Sequence, residues 1–171
     1  LSSVPTEYDH PRYAATATDT GPWPQFGHDA ARTASSDAPV PFGDVGGAWL
    51  RTAGDGGTTA PVVDEEAVYV AAGGDLVAHD AVDGTERWRV PVPGDGVRDV
   101  AIVGDALVTA SLTRGDDATT TLRGHARDGG AEQWSISLSG RLTGPLAVVD
   151  GVVYVAVEMD GEGVALAVDA G

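Results

Sequence analysis

Ala78-His79-Asp80-Ala81-Val82-Asp83-Gly84-Thr85-Glu86-Arg87-Trp88 decides the fold. A short apolar run closes on an aspartate, an Asp-Gly pair supplies the positive backbone angle of a tight turn, and a tryptophan follows shortly after the glycine. Upstream, Ala60-Pro61-Val62-Val63-Asp64 and then Val68-Tyr69-Val70 lead into Leu76-Val77-Ala78-His79-Asp80. The same order returns in Gly144-Pro145-Leu146-Ala147-Val148-Val149-Asp150, Val153-Tyr154-Val155 and Ala165-Leu166-Ala167-Val168-Asp169. Val100-Ala101-Ile102-Val103-Gly104-Asp105, Leu107-Val108-Thr109 and Gly130-Ala131-Glu132-Gln133-Trp134 form a weaker middle copy. The tryptophans set the period, with 39 residues from Trp49 to Trp88 and 46 from Trp88 to Trp134. Four short strands in a repeat of about 40–45 residues are the signature of a β-propeller blade.

The local grammar agrees. Runs such as Ala67-Val68-Tyr69-Val70-Ala71-Ala72 and Ala106-Leu107-Val108-Thr109-Ala110 are short, rich in β-branched residues and bounded by Gly and Asp, as strands are. Asp83-Gly84, Gly104-Asp105, Asp150-Gly151 and Asp160-Gly161 read as hairpin turns. The predicted strands lie near 58–64, 67–73, 76–81 and 85–92, near 97–104, 106–113, 119–127 and 132–138, and near 142–150, 152–158 and 164–169. The fold class is all-β, a propeller of four-stranded antiparallel blades with about three present, over 58–92, 97–138 and 142–171. Residues 48–171 are then a partial propeller. Residues 1–47, with six of the prolines and clusters of Ser and Thr, read as an irregular segment.

Ala78 to Trp88 resembles the A-x-D-x-x-x-G-x-x-x-W repeat of PQQ-like, quinoprotein-type β-propellers, the tryptophan-docking motif. Trp23-Pro24-Gln25-Phe26-Gly27-His28-Asp29-Ala30-Ala31-Arg32-Thr33 is similar to the segment before the first blade in that family, especially in haloarchaeal and BamB-like members. The resemblance covers residues 23–171 and is specific for fold, not for function. The middle copy departs from it, with Gly124, Ala126 and Gly129 in place of Ala, Asp and Thr.

The motif has a physical reason of its own. A twisted four-stranded sheet cannot bury both faces alone, so a large flat side chain near a strand end stacks on the neighbouring blade beside small residues. Trp88 and Trp134 are placed for this, with Ala78 and Gly124 as small partners. Asp80 is expected to accept hydrogen bonds from turn N–H groups, since an unpaired buried carboxylate is costly. The repeat set is thus Trp49, Ala78, Asp80, Gly84, Trp88, Gly130, Trp134, Ala167 and Asp169, read as structural staples, with ligand stacking as the competing role. Ala48 to Thr52, carrying Trp49, reads as an outermost strand without a blade of its own. Propellers close with about 4–8 blades. The expectation is therefore a fragment of a longer propeller, or a short chain that oligomerises into a ring.

Composition excludes several classes. The 171 residues contain no cysteine, which removes disulfides, thiolate metal sites and cysteine nucleophiles. No apolar run is long enough to span a membrane as a helix. The net charge is −16, every one of the ten basic residues is arginine, and aspartate supplies 19 of the 26 acids. Acids spread over the whole fold point to high-salt adaptation, with an ordinary acidic protein from a GC-rich genome as the alternative. Without clustered basic residues a nucleic-acid role is not expected.

Candidate chemistry is sparse. His10, His28, His79 and His125 have no partners at metal-ligand spacing, and His79 and His125 occupy equivalent repeat positions. Glu158, Asp160 and Glu162 flank one hairpin without the spacing of a calcium loop, and Ser111 and Ser135 lack a nucleophile-elbow motif. No catalytic residue, metal ligand or cofactor is assigned. The resemblance implies a non-catalytic scaffold that binds other proteins through its blade loops, extracytoplasmic or at the cell surface, with a cytoplasmic location as the alternative. Its other implication is a dehydrogenase fragment that uses pyrroloquinoline quinone with calcium to oxidise an alcohol or sugar.

Overall fold

The computed structural model describes residues 24–26, 49–115 and 117–170. Its described residues form three four-stranded antiparallel sheets. The first blade is β1 (Val62–Val63), β2 (Ala67–Ala72), β3 (Asp75–Asp80) and β4 (Glu86–Pro91). The second is β5 (Val97–Val103), β6 (Ala106–Thr113), β7 (Thr119–Ala126) and β8 (Glu132–Ser139). The third holds β9 (Arg141–Leu142), β10 (Ala147–Val149), β11 (Val152–Met159) and β12 (Glu162–Asp169), with β9 and β10 both paired to β11.

Two innermost strands are shorter than the sequence predicts. Instead of 58–64, β1 covers two residues plus an isolated bridge between Thr58 and Ala72, and the strand expected over 142–150 splits into β9 and β10. Pro61 and Pro145 account for this, because proline has no N–H for a ladder. Trp49 to Thr52, the described part of the expected outermost strand, pairs with no strand among the described residues. The segment is held by side chains instead, through Arg51 Nη2 donating to the Asp83 carbonyl and Arg89 Nη1 donating to the Ala53 carbonyl.

Hairpin chemistry follows the sequence closely on the third blade. Asp150-Gly151 and Asp160-Gly161 have φ of 49° and 80°, and of 52° and 80°, the paired left-handed angles of a type I′ turn. In the first two blades the β3–β4 and β7–β8 ladders shift register at the same place, between Ala78 and His79 and between Gly124 and His125. A bulge there re-aims the side chains of the outer strand just where it carries Trp88 and Trp134.

Each blade interface has its own core. Val62, Tyr69, Ala71, Leu76 and Ala78 of blade one meet Val100 and Leu107 of blade two. The opposite face of blade two, with Ala101, Val108, Ala110 and Leu122, meets Leu146, Val153, Val155 and Val157 of blade three. Alternation along β5 and β6 sends successive side chains to different neighbours, so one middle blade supplies two cores.

Candidate functional site

The blade junctions gather the side chains that the repeat motif singles out. Trp49 lies over Gly84, where a Cβ would come within 2.5 Å of the indole, and its Nε1 donates to the Ala81 carbonyl at 3.2 Å. Trp88 repeats this one blade on: a Cβ at Gly130 would come within 2.7 Å of the ring, and Nε1 donates to the Arg127 carbonyl at 2.9 Å. Both glycines also have positive φ, 71° and 74°, so the turn and the ring each demand the absence of a side chain.

Ala78 and Gly124, the expected small partners, face Trp88 and Trp134 as register partners within the same blade. The surface that receives the indole across the junction is the turn glycine, Gly84 for Trp49 and Gly130 for Trp88. Trp134 covers Gly124 and packs against the core shared with blade three. In that blade Ala167 sits opposite Tyr154 and is exposed, and Asp169 ends β12 opposite Val152.

Two histidines brace the docking turns. His79 Nδ1 meets the Gly84 carbonyl at 3.2 Å and His125 Nδ1 meets the Gly130 carbonyl at 3.1 Å. A carbonyl can only accept, so both rings carry their proton on Nδ1. In blade two His125 Nε2 then accepts from the Thr109 hydroxyl at 3.1 Å. In blade one the equivalent of Thr109 is Val70, two residues beyond the histidine's register partner in each case, and His79 Nε2 is buried without a partner. Burial holds His125 below its ordinary pKa, against the Gly130 carbonyl and Glu132, which raise it.

Asp80 organises its turn with both oxygens. Oδ1 accepts from the N–H groups of Val82 and Asp83, and Oδ2 accepts from Arg87 at 2.8 Å. The Arg87 guanidinium first, and those N–H groups next, hold its carboxyl below the usual range. Blade two keeps the same backbone turn with Ala126 in this place: Gly130 N–H donates to the Ala126 carbonyl at 2.8 Å, as Gly84 N–H does to Asp80 at 2.9 Å. The departures in the middle copy therefore leave Trp88 docked.

A cleft of about 580 Å³ opens between blades one and two, walled by Tyr69 and Trp88 and rimmed by Asp64, Glu66, Arg87 and Arg127. Asp64 ties the two blades together. Its Oδ1 accepts from the N–H groups of Glu66 and Ala67, and its Oδ2 accepts from the Tyr69 hydroxyl at 2.9 Å and from Arg127 at 3.1 Å. Burial pulls this carboxyl upward, but those four donors outweigh it and leave it below its ordinary value. Burial, and then the bond to Asp64, push Tyr69 far upward. Sequence reasoning passed over Asp64, Tyr69 and Arg127, whose partners lie 5 and 63 residues apart.

The remaining candidates lie apart from this cleft. Ser111 donates to the Thr121 carbonyl and accepts from Arg123, and Ser135 is exposed on β8. Glu158, Asp160 and Glu162 are exposed around the β11–β12 hairpin. His10 and His28 lie outside the described residues. A calcium–quinone pair needs convergent carboxylate and amide donors, and no three His, Cys, Asp or Glu side chains converge among the described residues. No described helix is long and apolar enough to cross a membrane.

Comparison with known proteins follows the same lines. No curated protein matches the chain. Among solved structures, quinohemoprotein alcohol dehydrogenase ADHIIG from Pseudomonas putida HK5 is similar over 99% of this chain and 28% of that one, at 22% identity and a TM-score of 0.66. BamB from Moraxella catarrhalis matches 68% of this chain and 34% of that one, at 23% identity and a TM-score of 0.49. The chain thus spans about a third or less of each of these proteins. At 22% identity the match to the dehydrogenase speaks for the fold alone. The sequence profile of the family described as outer membrane protein assembly factor BamB matches residues 27–125, more than half of the chain, and the chain belongs to that PQQ-like repeat family.

Proposed function

We propose that the chain is a non-catalytic propeller module that binds other proteins through its blade loops in the cell envelope. The observation that carries this reading is the use made of the motif side chains. Trp49, Trp88, His79, His125 and Asp80 all bond to the β3–β4 or β7–β8 turn, the turns on which Trp49 and Trp88 lie. Such bonding builds a rigid platform and leaves the loops to meet partners. The family's description supports an envelope role. The spread of 26 acidic against ten basic residues supports a high-salt setting of haloarchaeal type.

The test compares two activities of the purified chain. A photo-crosslinker placed at exposed Glu65 or Asp128, on the cleft rim, is expected to capture one defined envelope protein, while a crosslinker on β8 at Ser135 captures none. Pyrroloquinoline quinone and calcium are expected to leave the absorbance unchanged. Stoichiometric quinone binding with alcohol-dependent dye reduction would instead establish the dehydrogenase reading and refute the scaffold.

A further inference from the structure

Three strands face inward at the blade junctions, since β1 and β10 both contact β5. Each is an edge strand of its sheet, paired on one side only. Their free edges present N–H and C=O groups that need partners. On β5 and β10 those partners come from residues 24–26.

Ile102 N–H, on the free edge of β5, donates to the Pro24 carbonyl at 2.8 Å. One residue on, the Gln25 side chain treats β10 as a strand would. Its Oε1 accepts from the Val148 N–H at 2.9 Å and its Nε2 donates to the Val148 carbonyl at 3.3 Å. The amide thus satisfies both edge groups of one residue at once, and Gln25 is 5% exposed although it lies in a proline-rich stretch of the sequence. Glutamine is suited to this because its side chain carries the donor and acceptor of a peptide group at the end of a flexible stem. Proline suits the preceding position, as it lends a carbonyl without adding an N–H that would need a partner of its own.

We propose that Pro24–Phe26 is a built-in strap: it occupies the inward edges of blades two and three, fills this stretch of the propeller axis with the chain itself, and makes the two blades move as one body. A ligand approaching the axis between them meets Gln25 and Pro24 in place of open strand edges. Asp99 adds to the same junction from the other side, accepting from the Val100 N–H with Oδ1 and from the Leu146 N–H of blade three with Oδ2.

Hydrogen exchange of the 171-residue chain tests the strap. In Gln25→Ala the amides of Val148 and Ile102 are expected to exchange about tenfold faster, while that of Leu76 inside blade one is unchanged, because the opening is local. Equal protection of Val148 and Ile102 in the variant and the parent would overturn the proposal. A second measurement needs no substitution. The side-chain amide protons of Gln25 are expected to exchange far more slowly than those of exposed Gln133, and equal rates would overturn the proposal as well. Neither readout depends on a partner protein, so the strap and the scaffold reading can fail separately.

Discussion

Substituting Val70 by threonine should stabilise the protein, and blade two supplies the control. In blade two the hydroxyl of Thr109 reaches His125 Nε2 at 3.1 Å; in blade one Val70 leaves His79 Nε2 buried and unpaired. An unsatisfied buried polar atom costs roughly 1–3 kcal/mol. Thr and Val are similar in shape, and the new hydroxyl finds an acceptor, so Val70→Thr recovers about 1 kcal/mol after the hydroxyl's own desolvation. The converse change, Thr109→Val, orphans His125 and costs about 1–3 kcal/mol. Urea denaturation followed by tryptophan fluorescence reads both as shifts of the midpoint at constant slope. The double variant should come out near the difference of the two, since the sites lie in different blades. If Val70→Thr leaves the midpoint unmoved or lowers it while Thr109→Val costs nothing, the equivalence of the two histidines is wrong.

Further predictions follow from the junctions. Gly130→Ala should destabilise by several kcal/mol, because the φ of 74° disfavours any side chain and the Cβ would enter the Trp88 ring; thermal melting checks this, and a loss under about 1 kcal/mol contradicts it. His125 is depressed by burial, so its neutral form is favoured in the folded state. Its contribution is complete above the unfolded pKa of about 6.5 and is lost as the pH falls below it, so stability should decline between about pH 7 and pH 5, less steeply in His125→Asn. Asp64→Asn weakens the acceptor for Arg127 and Tyr69 and should cost about 1–2 kcal/mol, an effect that salt reduces only in part because Asp64 is half-buried. Raising KCl from about 0.1 M to about 1 M shortens the screening length from about 10 Å to about 3 Å. With a net charge of −16 the melting temperature should rise across that range, and a fall would argue against the high-salt reading.

Sequence carried the fold far because a blade is a local object. The Trp49, Trp88 and Trp134 spacing, the alternating strands and the Asp150-Gly151 and Asp160-Gly161 turns are all set by residues within one repeat. What crosses between blades was harder to see. Across the junction Trp88 lies on the turn glycine Gly130, and nothing in the sequence around either residue signals that contact. Arg127 joins Asp64 across 63 residues, and nothing in either neighbourhood marks the pair. Pro61 and Pro145 were visible, yet their cost to the innermost strands becomes plain only once those strands are placed beside β2 and β11. Gln25 was the hardest to read, since a buried glutamine in a proline-rich stretch looks like any loop residue until Val148 is found beside it.

The central claim is that blade one is latched to blade two, and the Trp49 segment to blade one, by an indole laid on a turn glycine. Ring currents report this directly: the Hα resonances of Gly84 and Gly130 should lie well upfield, beneath Trp49 and Trp88, and the Trp88 Nε1–H should exchange slowly. In Trp88→Leu the Gly130 shift should return to its ordinary position while that of Gly84 stays. An ordinary Gly130 shift in the parent chain, or one that Trp88→Leu leaves in place, would contradict the account.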